Sequence, residues 1–457
     1  MSVATSEIVA ELESAPVTRT HKRLWVLASL GIFLDGFDLF ILGIALPLIR
    51  EDWGISNWEA GLLASSAVLG AIVGASVVGR LTDRIGRRVV FAVDLAAFVV
   101  FAALSGLAWN VWALIAIRFL LGAAVGADYP ISASVISEIM PTRIRGRSLV
   151  GAFSFQAVGM VAGAITGIVM LVVIDDVSAW RWILAMGAVP ALVVVWLRRG
   201  SPESPRWLLS AGETSEAASV MSQLLGRKVD PTELDGYEAE PIVPWRSLFG
   251  AKLRRRTTLA AAPWFLMDIA TYGVGLFTPT IIAALIVTGD NANTITDDLA
   301  SAEGSAVVDL FLILGFLVAI VLVERMGRIR LQVSGFVFMA VGLVVLALAS
   351  RGGGVDDAPL VWVLLGFAVF NLAMNAGPNS TTFALPAEVF PTEMRASGHG
   401  FAAACGKAGA AVGTFLFPVL IGGVGLSGVL GGVAVLCLVG AAITLAFRVE
   451  PAGQSLH

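Results

Sequence analysis

Twelve apolar stretches, each long enough to cross a bilayer, leave this 457-residue chain few folds to adopt. They lie near residues 24–48, 58–80, 88–108, 110–137, 147–174 and 178–198, and again near 256–287, 303–323, 331–350, 358–388, 397–421 and 424–447. Hydrocarbon offers no partner to a free N–H or C=O, so apolar runs of ~20 residues cross it as α-helices. The prediction is an all-α membrane protein with twelve transmembrane helices in two six-helix halves. Charged residues make up only 14% of the chain, against about 25% in a soluble domain. The predicted organisation is a tail over 1–23, a bundle over 24–198, a polar central loop over 199–255, a second bundle over 256–448 and a tail over 449–457.

Lys and Arg concentrate in alternate loops, at Lys22, Arg23, Arg80, Arg84, Arg143, Arg198, Lys252, Arg325 and Arg395 among others. The intervening loops hold Asp52, Asp175, Asp290, Asp297 and Asp356 with few bases. The positive-inside rule makes the basic loops and both termini cytoplasmic, as in a multi-pass protein of the cell membrane. Because the signs are segregated by loop, the net charge of −4 says little about partners. Cys405 and Cys437 both fall in apolar segments and imply no disulfide framework. Residues 1–20 have no apolar core and read as a retained tail, not a cleaved signal.

The halves echo one another. Gly79 to Arg88 (GRLTDRIGRR) follows the second stretch, and Val323 to Arg330 (VERMGRIR) follows the eighth. Pro141 to Arg145 (PTRIR) follows the fourth, and Pro391 to Arg395 (PTEMR) follows the tenth. Matching offsets are expected of two halves built from one repeated unit.

Ionisable groups inside the stretches carry the functional signal, since they are costly in lipid and normally face a cavity or a partner. Trp264, Asp268 and Tyr272 stand at i, i+4 and i+8 on one side of a helix. The rival reading of Asp268 is a helix-packing carboxylate bonded to a neighbour. Asp35 and Asp38 share a face of the first stretch; one can carry a proton, or one can pair with a buried base such as Arg118. Asp128 precedes the helix-kinking Pro130 in the fourth stretch. Gln156 reads as either a ligand or inter-helix glue. Lys407 needs a counterion, and nothing near it in sequence supplies one. Counted at 1.5 Å per residue, Asp35, Gln156, Asp268 and Lys407 all lie roughly 12–18 Å from the basic end, so they can share a midplane cavity, with Asp128 nearer that end. A compact ammonium beside neutral donors suits an oxyanion, and a nearby carboxylate can accept from a P–OH. No metal-ligand cluster, nucleophile–base pair or P-loop glycine run is visible, so an enzyme is not predicted.

The loop pattern from Gly79 to Arg88 resembles the signature of the major facilitator superfamily, and Arg118 to Gly126 resembles its fourth-helix motif. More specifically, Leu34 to Phe40 (LDGFDLF), Gly126 to Ala133 (GADYPISA), Trp264 to Tyr272 (WFLMDIATY), Gly377 to Phe383 (GPNSTTF) and Cys405 to Gly409 (CGKAG) resemble the phosphate:proton symporter family, over nearly the whole chain. The resemblance implies the major facilitator fold and uptake of inorganic phosphate with protons by alternating access, with no cofactor, metal, nucleic acid or obligatory protein partner. Residue by residue, it implies phosphate binding by Tyr129, Gln156, Trp264, Asp268, Tyr272 and Lys407. It implies proton coupling through Asp35 and Asp128, and Asp38, on one face with Asp35, is expected to share in it. The superfamily motifs and their echoes imply a gating or structural role for Gly79, Asp83, Arg84, Gly86, Arg87, Arg88, Arg118, Glu138, Arg145, Glu388 and Arg395. The Asp-Gly-Phe-Asp form at 35–38 also occurs in related aromatic-acid:proton symporters, so symport of an aromatic or sugar acid stands as an alternative, as does a phosphate-sensing receptor.

Overall fold

The computed structural model describes residues 11–12, 14–85, 87–126, 128–234, 245–278, 281, 294–350, 360–390 and 392–450. At some of these, including 75–85, 87, 128–130, 138, 294–303 and 392–396, only the backbone is described. All regular structure among the described residues is helical. Among the described residues eight helices are long and apolar enough to cross a membrane, and one of these, Ser397–Ala446, makes two passes. Asn57–Ile85, Thr294–Met326 and a fourth span described over Val111–Val125 and Asp128–Ile139 bring the passes among the described residues to twelve.

The two passes of the last helical run, Thr392–Ala446, join at Gly425, whose φ of 71° lies in the left-handed region that glycine tolerates. The fifth span runs through Arg145–Val173, with Ser154 keeping helical angles of φ −61° and ψ −19°. The tenth breaks before Pro378, between Leu360–Ala376 and Pro378–Val389, where the ring removes a backbone donor. Broken helices at membrane depth are tolerated where they line a cavity. The eighth helix is already formed at Thr294, about two and a half turns before the apolar stretch expected from residue 303, because these turns are polar and escape a hydropathy reading.

Helix pairing shows the internal symmetry. The first span (Arg19–Trp53) packs on the fifth as the seventh (Arg254–Leu276) packs on the eleventh, and the second packs on the fourth as the eighth packs on the tenth. Across the halves, the second meets the eleventh and the fifth meets the eighth, which is the same contact seen twice. Burial sorts the helices: most of the first span is buried, whereas most of Ala179–Arg198 is not. The latter therefore faces lipid, with Leu192, Val193 and Trp196 exposed.

Two carboxylates from outside the spans cap helices at the basic end. Glu203 Oε2 accepts from the Arg88 backbone N–H at 2.9 Å, at the start of the third span. Glu450 accepts from the backbone N–H groups of Arg328 and Ile329 at 3.0 and 2.9 Å, at the start of the ninth. Both satisfy N-terminal donors that a helix leaves open. The central segment folds into short helices, Pro205–Ser210 and Thr214–Leu225, which bury Val220, Met221 and Leu224. Glu11 of the tail pairs with Arg227 there at 2.5 Å, and this guanidinium holds the Glu11 carboxyl below the usual range.

Candidate functional site

Four side chains from four helices close a polar ring near the middle of the bundle. Lys407 Nζ, on the eleventh span, donates to Tyr272 Oη at 3.0 Å and pairs with Asp35 Oδ2 at 3.4 Å. Gln156 Nε2, on the fifth span, contacts the same two atoms, Tyr272 Oη at 3.3 Å and Asp35 Oδ2 at 3.4 Å. Asp35 comes from the first span and Tyr272 from the seventh, so the ring ties one half of the molecule to the other. The counterion that sequence could not supply for Lys407 is thus Asp35, 372 residues away.

Close backbone approach brings these groups together. Any side chain at Gly36 would strike the Gln156 carbonyl, so the first span can lie directly against the fifth. At the matching contact of the second half, a Cβ on Gly406 would come within 2.5 Å of Trp264 Nε1 and 2.9 Å of Asp268 Oδ2. Trp264 and Asp268 therefore lie against the bare face of Gly406, one residue from Lys407, and both are buried.

The pair in the first span divides its work. Asp35 belongs to the ring, while Asp38 takes a bidentate ion pair with the fully buried Arg118, at 2.6 and 2.8 Å. The alternative in which one carboxylate pairs with Arg118 is therefore realised by Asp38. Removing one partner strands a buried charge, which typically costs about 3–5 kcal/mol. Arg118→Gln is expected to lower the thermal unfolding midpoint markedly, and Arg118→Gln with Asp38→Asn to recover much of the loss. The check is a melting series on the purified variants; equal destabilisation of single and double variants would contradict the pairing.

The tenth span supplies a wall that the sequence reading did not single out by role. Asn371, Asn375 and Asn379 line, with Gln156 and Tyr272, a cavity of about 30 Å³, room for one or two waters. Asn371 and Asn375 donate to the carbonyls of Val308 and Leu312 on the eighth span, at 3.3 and 3.1 Å, and Asn379 donates to Asn375 Oδ1 at 2.5 Å. Their i, i+4, i+8 spacing was the available signal.

Toward the basic end the ring rests on an aromatic floor. Phe153 stacks on Phe383 at 4.7 Å, and Trp264 and His399 pack edge-on against Phe383 and each other. His399 Nε2 lies 3.1 Å from the Phe383 carbonyl. Below the floor, Arg328 is clamped by Glu388 at 2.6 Å and Glu324 at 2.9 Å, beside Gly146 of the other half. Toward the opposite end, Trp58 of the second span packs edge-on against Phe415 of the eleventh at 4.8 Å.

Of the remaining expected residues, Arg88 has its backbone at Glu203, and Arg145 is half-buried at the start of the fifth span. Gly79, Asp83, Arg84, Arg87, Asp128, Tyr129, Glu138 and Arg395 are placed by backbone only, so their side chains lie outside the described residues. Gly86 lies outside them altogether.

The comparisons with known proteins agree with this architecture. The family model described as "Sugar (and other) transporter" matches residues 24–457. The chain is 32% identical over 437 residues to the inner membrane metabolite transport protein YgcS of Escherichia coli (strain K12), covering 95% of this chain and 92% of that one. It is 32% identical over 451 residues to the low affinity inorganic phosphate transporter 4 of Medicago truncatula, covering 90% and 85%. Among solved structures, the partially occluded inward open conformation of the xylose transporter XylE from E. coli superposes with a TM-score of 0.78 at 20% identity, over 96% of this chain and 100% of that one, a likeness of fold. Family match, helix count and helix pairing point the same way: the chain belongs to the sugar (and other) transporter family of the major facilitator superfamily.

Proposed function

We propose that the protein is a proton-coupled secondary transporter that imports inorganic phosphate by alternating access, with the basic loops and both termini cytoplasmic. The observation that carries this reading is the ring in which Lys407 is shared between Tyr272 and Asp35. A proton on Asp35 removes the charge that holds Lys407, and the freed ammonium can then take an anion. The Asp35 carboxylate and the anion thus compete for one cation, so proton binding and anion binding each favour the state that the other needs. Gln156, Tyr272 and Trp264 supply neutral donors around the ammonium, Asn379 adds an amide, and Asp268 supplies an acceptor. The cavity of about 30 Å³ is too small for phosphate, so substrate requires the floor or the opposite end to part. The named phosphate transporters among the relatives support the substrate class, while another relative is named only as a metabolite transport protein.

Selectivity tests the substrate. Near neutral pH phosphate keeps a proton on oxygen and sulfate does not, so an ionised Asp268 accepts from one and meets only acceptors on the other. Unlabelled phosphate should displace labelled phosphate from purified protein, while excess sulfate or benzoate should not. Asp268→Asn, which adds a donor, should weaken phosphate binding and narrow the phosphate-to-sulfate ratio. Displacement by benzoate but not by phosphate would replace this reading with transport of an aromatic acid. An unchanged ratio in Asp268→Asn would remove the role given to Asp268.

A further inference from the structure

A second cavity, about 440 Å³, opens at the basic end of the first half, away from the polar ring. That volume falls in the range of about 300–1,000 Å³ typical of small-molecule sites. Its walls are apolar and come from four spans: Leu27 and Ala28 of the first, Phe91 and Leu95 of the third, Ile139 of the fourth and Val195 of the sixth. Its rim carries Arg88, Arg198 and Arg199 against one described acid, Glu203. From Arg88 to Leu95 the third span rises roughly 10 Å, so the cavity runs from a charged rim to hydrocarbon depth.

We propose that this cavity is a lateral binding site for an anionic phospholipid, with an acyl chain along the apolar walls and the headgroup phosphate at Arg88 and Arg199. The rim is built for an anion. Three guanidinium groups outnumber the one carboxylate, Glu203, which is held in place by the backbone N–H groups of Arg88 and Ser204, each at 2.9 Å. Arg198 is fixed as part of the wall: its Nε donates to the Leu27 carbonyl at 2.9 Å and its guanidinium lies 4.2 Å from the centre of the Phe91 ring. Arg88 and Arg199 are exposed at the mouth. Ser201 Oγ, on the same rim, is buried and has no hydrogen-bond partner among the described residues, leaving a donor for a phosphate oxygen.

The flank of the cavity faces lipid. Val89, Val93, Trp196 and Leu197 are exposed on the two helices beside it, so a chain can enter sideways from the bilayer. Free inorganic phosphate would gain nothing from the apolar walls, whereas a lipid matches wall and rim together. Basic pockets between spans are a recurrent setting for anionic headgroups.

The test measures lipid retention, so it is independent of what the protein transports. Full-length protein in neutral detergent is mixed with phosphatidylglycerol or phosphatidylcholine of identical acyl chains, and bound lipid is counted by native mass spectrometry. Phosphatidylglycerol should be retained about tenfold better, as expected from arginines near an anionic headgroup. Arg199→Gln with Ser201→Ala should narrow that preference, and Ala92→Trp, which fills the cavity, should reduce retention of both lipids. The rim substitutions keep the test decisive if Ala92→Trp fails to fold. Equal retention of the two lipids by the unaltered protein, or unchanged phosphatidylglycerol retention in the variants, would overturn the proposal. Displacement of phosphatidylglycerol by millimolar inorganic phosphate would overturn it in favour of a free-phosphate site.

Discussion

Lys407→Ala is expected to lose phosphate binding by more than about tenfold, and Lys407→Arg to recover little of it. Truncating one partner of a buried charge-assisted contact typically costs about 2–5 kcal/mol. The Lys407 ammonium sits 3.0 Å from Tyr272 Oη and 5.1 Å above the Tyr272 ring, in a space fitted to a compact charge. A planar guanidinium needs a different donor geometry and more room. Removing Lys407 also strands Asp35, so loss of stability must be separated from loss of binding. Lys407→Ala combined with Asp35→Asn is expected to regain stability and still fail to bind. Labelled-phosphate binding to purified variants, alongside their melting midpoints, makes that separation. Unchanged affinity in Lys407→Ala would place the substrate elsewhere.

Asp35→Asn is expected to abolish accumulation against a gradient while sparing phosphate exchange across the membrane. Asparagine mimics a permanently protonated Asp35, so Lys407 stays released and substrate still binds. What is lost is the link between proton and anion. Asp128→Asn is expected to lose accumulation as well, given a second carboxylate in the same half. Accumulation and exchange are measured on the same vesicles, the first with an imposed pH gradient and the second with phosphate on both sides. Full accumulation by both variants would contradict a proton path through these carboxylates.

Much of this architecture was legible in the sequence because lipid imposes strict rules. Apolar length gave the spans, and helical spacing put Trp264, Asp268 and Tyr272 on one face, where the structure buries Asp268 against Gly406. What stayed hidden depended on partners far apart in the chain. Asp35 and Asp38 looked equivalent at i and i+3, yet one faces Lys407 and the other Arg118, a split set by how the first span is rotated among its neighbours. The caps at Glu203 and Glu450 carry no local signal, since each acts on a helix that began about 120 residues earlier. The amide wall of the tenth span was visible as a spacing, but only packing against the eighth span shows that two of its amides are tied to carbonyls there.

The central claim, that a shared lysine couples proton to phosphate, is tested most directly by labelled-phosphate uptake into proteoliposomes with and without an imposed pH gradient. Uptake should exceed the equilibrium level only when the side from which phosphate enters is the more acidic, and collapsing the gradient with a protonophore should release the excess. Uptake that equilibrates to the same level with either gradient, or that responds to a non-phosphate anion alone, would contradict it.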